Sequence, residues 1–159
     1  MKLKSFLIEI ASLIDPLNVG IYNFFSGNKL IIPPLKNRRR VASASISKFL
    51  ESGNDIFLSL NREVKSYLHQ SFDSLSQLYF LDFGCGVGRV TNYFCDHYSF
   101  PIYACDVDAT AIAFLQENQK KCIPCCNLFT PPLPFPDDFF HCVYSVSIWT
   151  HLSPESDRK

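Results

Sequence analysis

Apolar positions along the chain follow two different patterns, and the change between them falls near residue 76. Downstream of it they bunch into short unbroken runs. Residues 78–81 stop at Asp82, residues 101–105 stop at Asp106, and residues 122–128 and 139–146 form two more runs. Runs that are apolar on both faces suit strands buried in a parallel sheet. Between the first two, residues 87–97 place Val87, Val90 and Phe94 on one helical face. Asp108 stands where it can cap a second helix, from Ala109 to about Lys120, with Ile112 and Leu115 inward. Strand, crossover helix, strand, repeated, predicts an α/β fold with a doubly wound, mainly parallel sheet.

Upstream the spacing is helical. Residues 41–50 and 56–69 read as two helices separated by Ser52-Gly53-Asn54-Asp55, the second with a stripe of Phe57, Leu60, Val64 and Leu68. At the N-terminus Leu3, Leu7, Ile10 and Ile14 share one face of an amphipathic helix. Glu9 interrupts the apolar stretch and no small-residue cleavage site precedes Asp15-Pro16, so a signal peptide is not expected. The predicted organisation is a helical N-terminal extension over residues 1–75 and an α/β core over 76–159. No internal repeat is evident.

Composition narrows the class. A chain of 159 residues is one domain of ordinary size. Its 15 Lys and Arg balance 15 Asp and Glu, so no nucleic-acid partner is expected. Hydrophobic residues make up 47%, too many for a disordered segment. No apolar run reaches the roughly 18 residues of a membrane span. The seven cysteines are an odd number, which excludes a complete intrachain disulfide framework and points to the cytoplasm.

The strongest chemical signal is Leu81-Asp82-Phe83-Gly84-Cys85-Gly86-Val87-Gly88-Arg89. Three glycines at a strand-to-helix junction let the chain turn sharply and bring backbone against a ligand. A dinucleotide fingerprint would place its third glycine at position 89, where Arg89 stands, so a nicotinamide-dependent oxidoreductase is disfavoured. Asp106 follows Gly84 by 22 residues and closes the next strand. An acid about 20 residues beyond such a loop accepts hydrogen bonds from ribose hydroxyls. Asp108 is accounted for as a helix cap.

With these residues the chain resembles the class I S-adenosylmethionine-dependent methyltransferases. Residues 81–88 look like the family's first motif and residues 103–108 like its second-strand motif. Residues 132–144 are similar to the segment entering its fourth strand, and 147–152 to a sequence following that strand in small-molecule members. Ile32-Pro33-Pro34-Leu35 with Arg38-Arg39-Arg40-Val41 looks like a lead-in found in one branch. The resemblance implies a Rossmann-like fold and S-adenosyl-L-methionine as cofactor, with a small-molecule acceptor. Gly84, Gly86 and Gly88 would line the methionine end, and Asp82 would hold the amino group. Asp106 would take the ribose diol, with Val107 against the adenine. Asn127 and Leu128 would sit at the adenine edge, Asn127 standing where many members have an acid. Ser145 would lie near the sulfonium. For a hydroxyl acceptor His151 is the candidate base, and Trp149 could stack on a substrate.

Other features have plainer readings. Cys122-Ile123-Pro124-Cys125 lacks the second pair a zinc site needs and lies within the third strand. Arg38-Arg39-Arg40 reads as a solvated helix start. The resemblance implies a seven-stranded sheet of which only four strands are supplied, so the sheet is expected to be incomplete. The fourth strand would then be an exposed apolar edge. A truncated chain, or a partner chain completing the sheet, would account for it. The alternative function is a non-catalytic cofactor-binding or interaction module.

Overall fold

The computed structural model describes residues 2–27, 29–71 and 78–148. Each predicted apolar run downstream of residue 76 overlaps a strand: β1 (Phe80–Phe83), β2 (Ile102–Asp106), β3 (Cys122–Cys126) and β4 (Cys142–Ser145). All pairings are parallel, in the order β3-β2-β1-β4, with Phe80 opposite Ile102 and Cys142, and Ile102 opposite Cys122. Among the described residues these four strands form the expected Rossmann-like α/β sheet, incomplete relative to the seven strands the resemblance implies. Strands β3 and β4 are shorter than the runs that announced them, because Asn127 and residues 139–141 leave the ladder.

Helices α1 (Lys2–Ser26), α2 (Leu35–Val41) and α3 (Ile46–Ser71) precede the sheet, and α4 (Thr91–His97) and α5 (Ala109–Asn118) link its first three strands. The pleat sends Phe80, Ile102 and Tyr144 to the face that meets α4, where Phe94 stacks on Tyr144 with ring centroids 4.5 Å apart. Phe57 of α3 meets Phe94 edge-on at 5.0 Å, so the predicted α3 stripe reaches the sheet's own core through Phe57 and Val64. On the other face Tyr103 packs against Phe135, Phe139 and Phe140. The Pro- and Phe-rich connection to β4 does there what a crossover helix does elsewhere.

Four expectations are corrected. Helix α4 begins at Thr91 rather than 87, because Gly86 and Gly88 carry φ of +53° and +80°, which no right-handed helix admits. The predicted break at residues 52–55 does not exist: α3 runs through it, and the helix predicted at 41–50 is divided between α2 and α3. Gly53 is there for packing, since a Cβ on it would lie 2.5 Å from the Arg89 carbonyl oxygen and 2.8 Å from Tyr93. Gly53→Ala is therefore expected to lower the unfolding temperature, although helix propensity alone favours Ala by about 1 kcal/mol.

The arginine cluster is not a solvated helix start. It ends α2, and Arg38 is 1% exposed. Its Nη2 donates to Asp15 Oδ1 at 2.6 Å and its Nη1 to the Pro33 carbonyl at 2.6 Å. Asp15 in turn accepts from Leu35 N at 2.8 Å. This buried pair sets the roll of α1: with Asp15 drawn inward, the apolar stripe is turned outward, and Ile10 and Ile14 are 43% and 51% exposed. Leu3 and Leu7 have side chains outside those described.

Candidate functional site

The strand order reverses between β1 and β4, and clefts in such sheets open beyond the carboxyl ends of the strands at that point. Here the segments leaving β1, β2 and β4 meet. Gly84 N and Cys85 N donate to the Cys105 carbonyl at 2.8 and 3.1 Å, which ties the glycine turn to β2. Asp106 completes the tie: its Oδ2 accepts from Gly86 N and its Oδ1 from Asp108 N, both at 2.8 Å. Asp108 caps α5, its Oδ1 accepting from Thr110 N at 3.0 Å, and its other oxygen pairs with Arg40 at 2.5 Å.

The three glycines have different reasons. All have positive φ: +78° at Gly84, +53° at Gly86 and +80° at Gly88. Gly88 also admits α5, since a Cβ there would lie 2.6 Å from Leu115 Cδ2. At Gly84 the side chain of Ile148 occupies the space, its Cδ1 2.1 Å from where a Cβ would stand.

Ile148 divides the cleft in two. One cavity, about 230 Å³, is lined by Asp82, Gly84, Gly86, Arg89, Asp106 and Ile148 among others. The second, about 150 Å³, brings together Asp106, Val107, Asn127, Leu128 and Phe129 with Ile148. Sites for small organic ligands run to about 300–1,000 Å³, so a ligand spanning both parts must move the Ile148 side chain off Gly84.

Asp82 is 2% exposed at the floor of the larger cavity. Burial raises its carboxyl from 3.8 to about 7, against the bond from Thr91 Oγ1 at 2.6 Å and the neighbouring Tyr144 hydroxyl. Arg89 faces it from the same cavity, half-buried, its guanidinium lowered by that burial while the Asp82 charge acts the other way. A carboxyl raised on folding adds stability in full below 3.8 and loses it as pH rises through about 7. Wild-type stability is therefore expected to fall across this window relative to Asp82→Asn, by on the order of 3–4 kcal/mol at 1.36 kcal/mol per unit. Denaturant titrations from about pH 4 to about pH 8 measure the difference.

In the smaller cavity the amide of Asn127 is 9% exposed. Its Nδ2 donates to the Leu128 carbonyl at 2.8 Å, while its Oδ1 is buried with no donor. Of the residues singled out in the sequence, Asp82, Gly84, Gly86, Asp106, Val107, Asn127 and Leu128 line these cavities. Gly88 instead supports the turn from below. Ser145 ends β4 opposite Phe83, just before the lining residues Val146, Ser147 and Ile148. His151 and Trp149 lie outside the described residues. The sequence reading missed Arg89, Arg40 and Ile148. Arg89 adjoins the glycine motif and Arg40 lies in the resembling lead-in, whereas nothing local marks Ile148. The seven cysteines are free thiols. No group of His, Cys, Asp and Glu among the described residues could hold a metal, and none of the described helices is long and apolar enough to cross a membrane.

A reversing parallel sheet, a glycine turn after β1 and acids at the ends of β1 and β2 define a Rossmann-like protein with its binding cleft at the reversal. Residues 81–159 match the family described as methyltransferase domain. The match is consistent with the class I S-adenosylmethionine-dependent methyltransferases that the motifs resemble. Among solved structures the chain is similar to a TehB-like SAM-dependent methyltransferase from Corynebacterium glutamicum ATCC 13032 Kitasato, at 14% identity and a TM-score of 0.43. That similarity covers 64% of this chain and 60% of that one. It is also similar to the cyclase SpnF, at 18% identity and a TM-score of 0.38, over 51% of this chain and 32% of that one. The chain thus spans less than two thirds of either. A search of curated proteins finds no match.

Proposed function

We propose that the divided cleft binds S-adenosyl-L-methionine and that the domain transfers its methyl group to a small-molecule acceptor. The observation that carries this reading is Asn127 Oδ1, a buried acceptor with no donor. Leaving such an atom unpaired costs about 1–3 kcal/mol. It stands in a cavity walled by Val107, Leu128 and Phe129, which suits a flat apolar ring bearing an exocyclic amine, and adenine has both.

The remaining assignments follow the chain around the cleft. Asp106 holds the ribose hydroxyls with the lone pairs its two backbone donors leave. Asp82 receives the amino group, ionising as the ammonium arrives. Gly84 and Gly86 let the amino-acid portion lie against the backbone, and Gly88 seats α5 beneath them. Val107 and Leu128 flank the adenine, and Ser145 stands near the reacting end. The bound cofactor supplies a methyl carbon on a sulfonium, already a good leaving group. The protein's task is alignment, which supplies much of such a rate, and His151 serves as base when the acceptor is a hydroxyl. In this reading residues 1–75 are a helical extension and 76–159 the cofactor-binding core.

Calorimetric titration is expected to show binding of S-adenosylmethionine and of S-adenosylhomocysteine, and none of NAD. Binding of NAD alone, or of none of the three, overturns the assignment. Labelled methyl appearing in small molecules of a lysate supports transfer. Binding without any transfer favours the non-catalytic alternative.

A further inference from the structure

Helix α1 presents to solvent a face with no polar side chain. Ile10, Leu13, Ile14, Leu17, Ile21 and Phe24 are 43–82% exposed, while Asp15 is buried against Arg38. A surface helix of a monomer has the opposite arrangement. The exposed positions are regularly spaced: 10, 14, 17, 21 and 24 alternate steps of four and three, and Leu3 and Leu7 continue the register upstream. That is the seam of a two-helix coiled coil, seven residues to the repeat.

We propose that α1 is a dimerisation helix whose occupant is α1 of a second copy of this chain. Ile14 and Ile21 take the first core position of each repeat, and Ile10, Leu17 and Phe24 the second. Ile14 and Ile21 at the first position with Leu17 at the second are the combination that favours two strands. Pro16 lies off the seam, and at Gly20, on its flank, a Cβ would meet nothing within 4 Å. The patch amounts to on the order of 600 Å², at the top of the about 300–600 Å² that monomers expose. A stable interface covers about 800 Å² per partner, the same order. A membrane surface fits less well. Helices that lie on lipid carry Lys and Arg on their polar face, and residues 5–28 contain neither.

Sedimentation equilibrium of the full chain tests this directly. The expected result is a mass of two 18.2 kDa chains at micromolar concentration, dissociating on dilution. Leu17→Glu with Ile21→Glu is expected to sediment as one chain with unchanged helix content. Ile14→Asn should weaken the dimer at least tenfold, the cost of one polar core position. Leu58→Glu, at an exposed leucine of α3, should remain dimeric. A mass of one chain for the wild type at all concentrations overturns the proposal. So does a dimer that survives both α1 variants. Flotation of monomeric chain with phosphatidylcholine vesicles, lost in the double variant, would give the face to lipid instead.

Discussion

Asp106→Ala is expected to weaken S-adenosylmethionine binding at least 100-fold in calorimetric titration, with the fold retained. A carboxylate facing two ribose hydroxyls makes two charge-assisted bonds, each contributing about 1.5–3 kcal/mol. Their loss amounts to at least about 3 kcal/mol, or two factors of ten in affinity. The substitution also frees Gly86 N and Asp108 N, which Asp106 holds at 2.8 Å, so the glycine turn loses the tie that shapes it for a ligand. Asp106→Asn separates the two effects. Its amide oxygen can keep one backbone bond but not the charge, so an intermediate affinity is expected. Unchanged affinity in Asp106→Ala would sink the ribose assignment.

Arg38→Leu is expected to lower stability by about 3–5 kcal/mol, the usual cost of removing one partner of a buried ion pair. For a chain of this size that is a fall of roughly 6–20 °C in unfolding temperature. The guanidinium bridges three segments, through Asp15 of α1, the Pro33 carbonyl before α2 and the Ala44 carbonyl before α3. Its removal leaves Asp15, 6% exposed, as an uncompensated buried charge. Asp15→Leu combined with Arg38→Leu is expected to recover much of the loss, because an apolar pair of similar volume often replaces a buried ion pair without penalty. Thermal unfolding of the three variants checks both parts. The single variant should also loosen α1, since the Asp15 contact is what rolls its apolar face outward.

How far the sequence could be read depended on how local the cause was. The strands were legible because each overlaps a short apolar run ended by an acid or a turn. The cap at Asp108 was legible because capping is a contact between a side chain and backbone two or three residues away. Gly53 was misread for the complementary reason. Its neighbours in sequence look like a turn, while the atoms that require a glycine, the Arg89 carbonyl and the Tyr93 ring, come from beyond residue 80. Arg38 was misread because a basic triplet looks solvated until a carboxylate 23 positions earlier is folded against it.

The sequence by itself determined the class of sheet, the positions of the glycine turn and of the acids Asp82 and Asp106 in β1 and β2, and the place of Asn127 just beyond β3. All of these rest on hydrophobic period and on short motifs that carry their own backbone conformation. Tertiary structure alone decided the roll of α1, the continuity of α3, the second role of Gly88 in seating α5, and the division of the cleft by Ile148. Each of those depends on which distant atom arrives in a given space, and packing and burial are properties of the assembled chain rather than of any stretch of it.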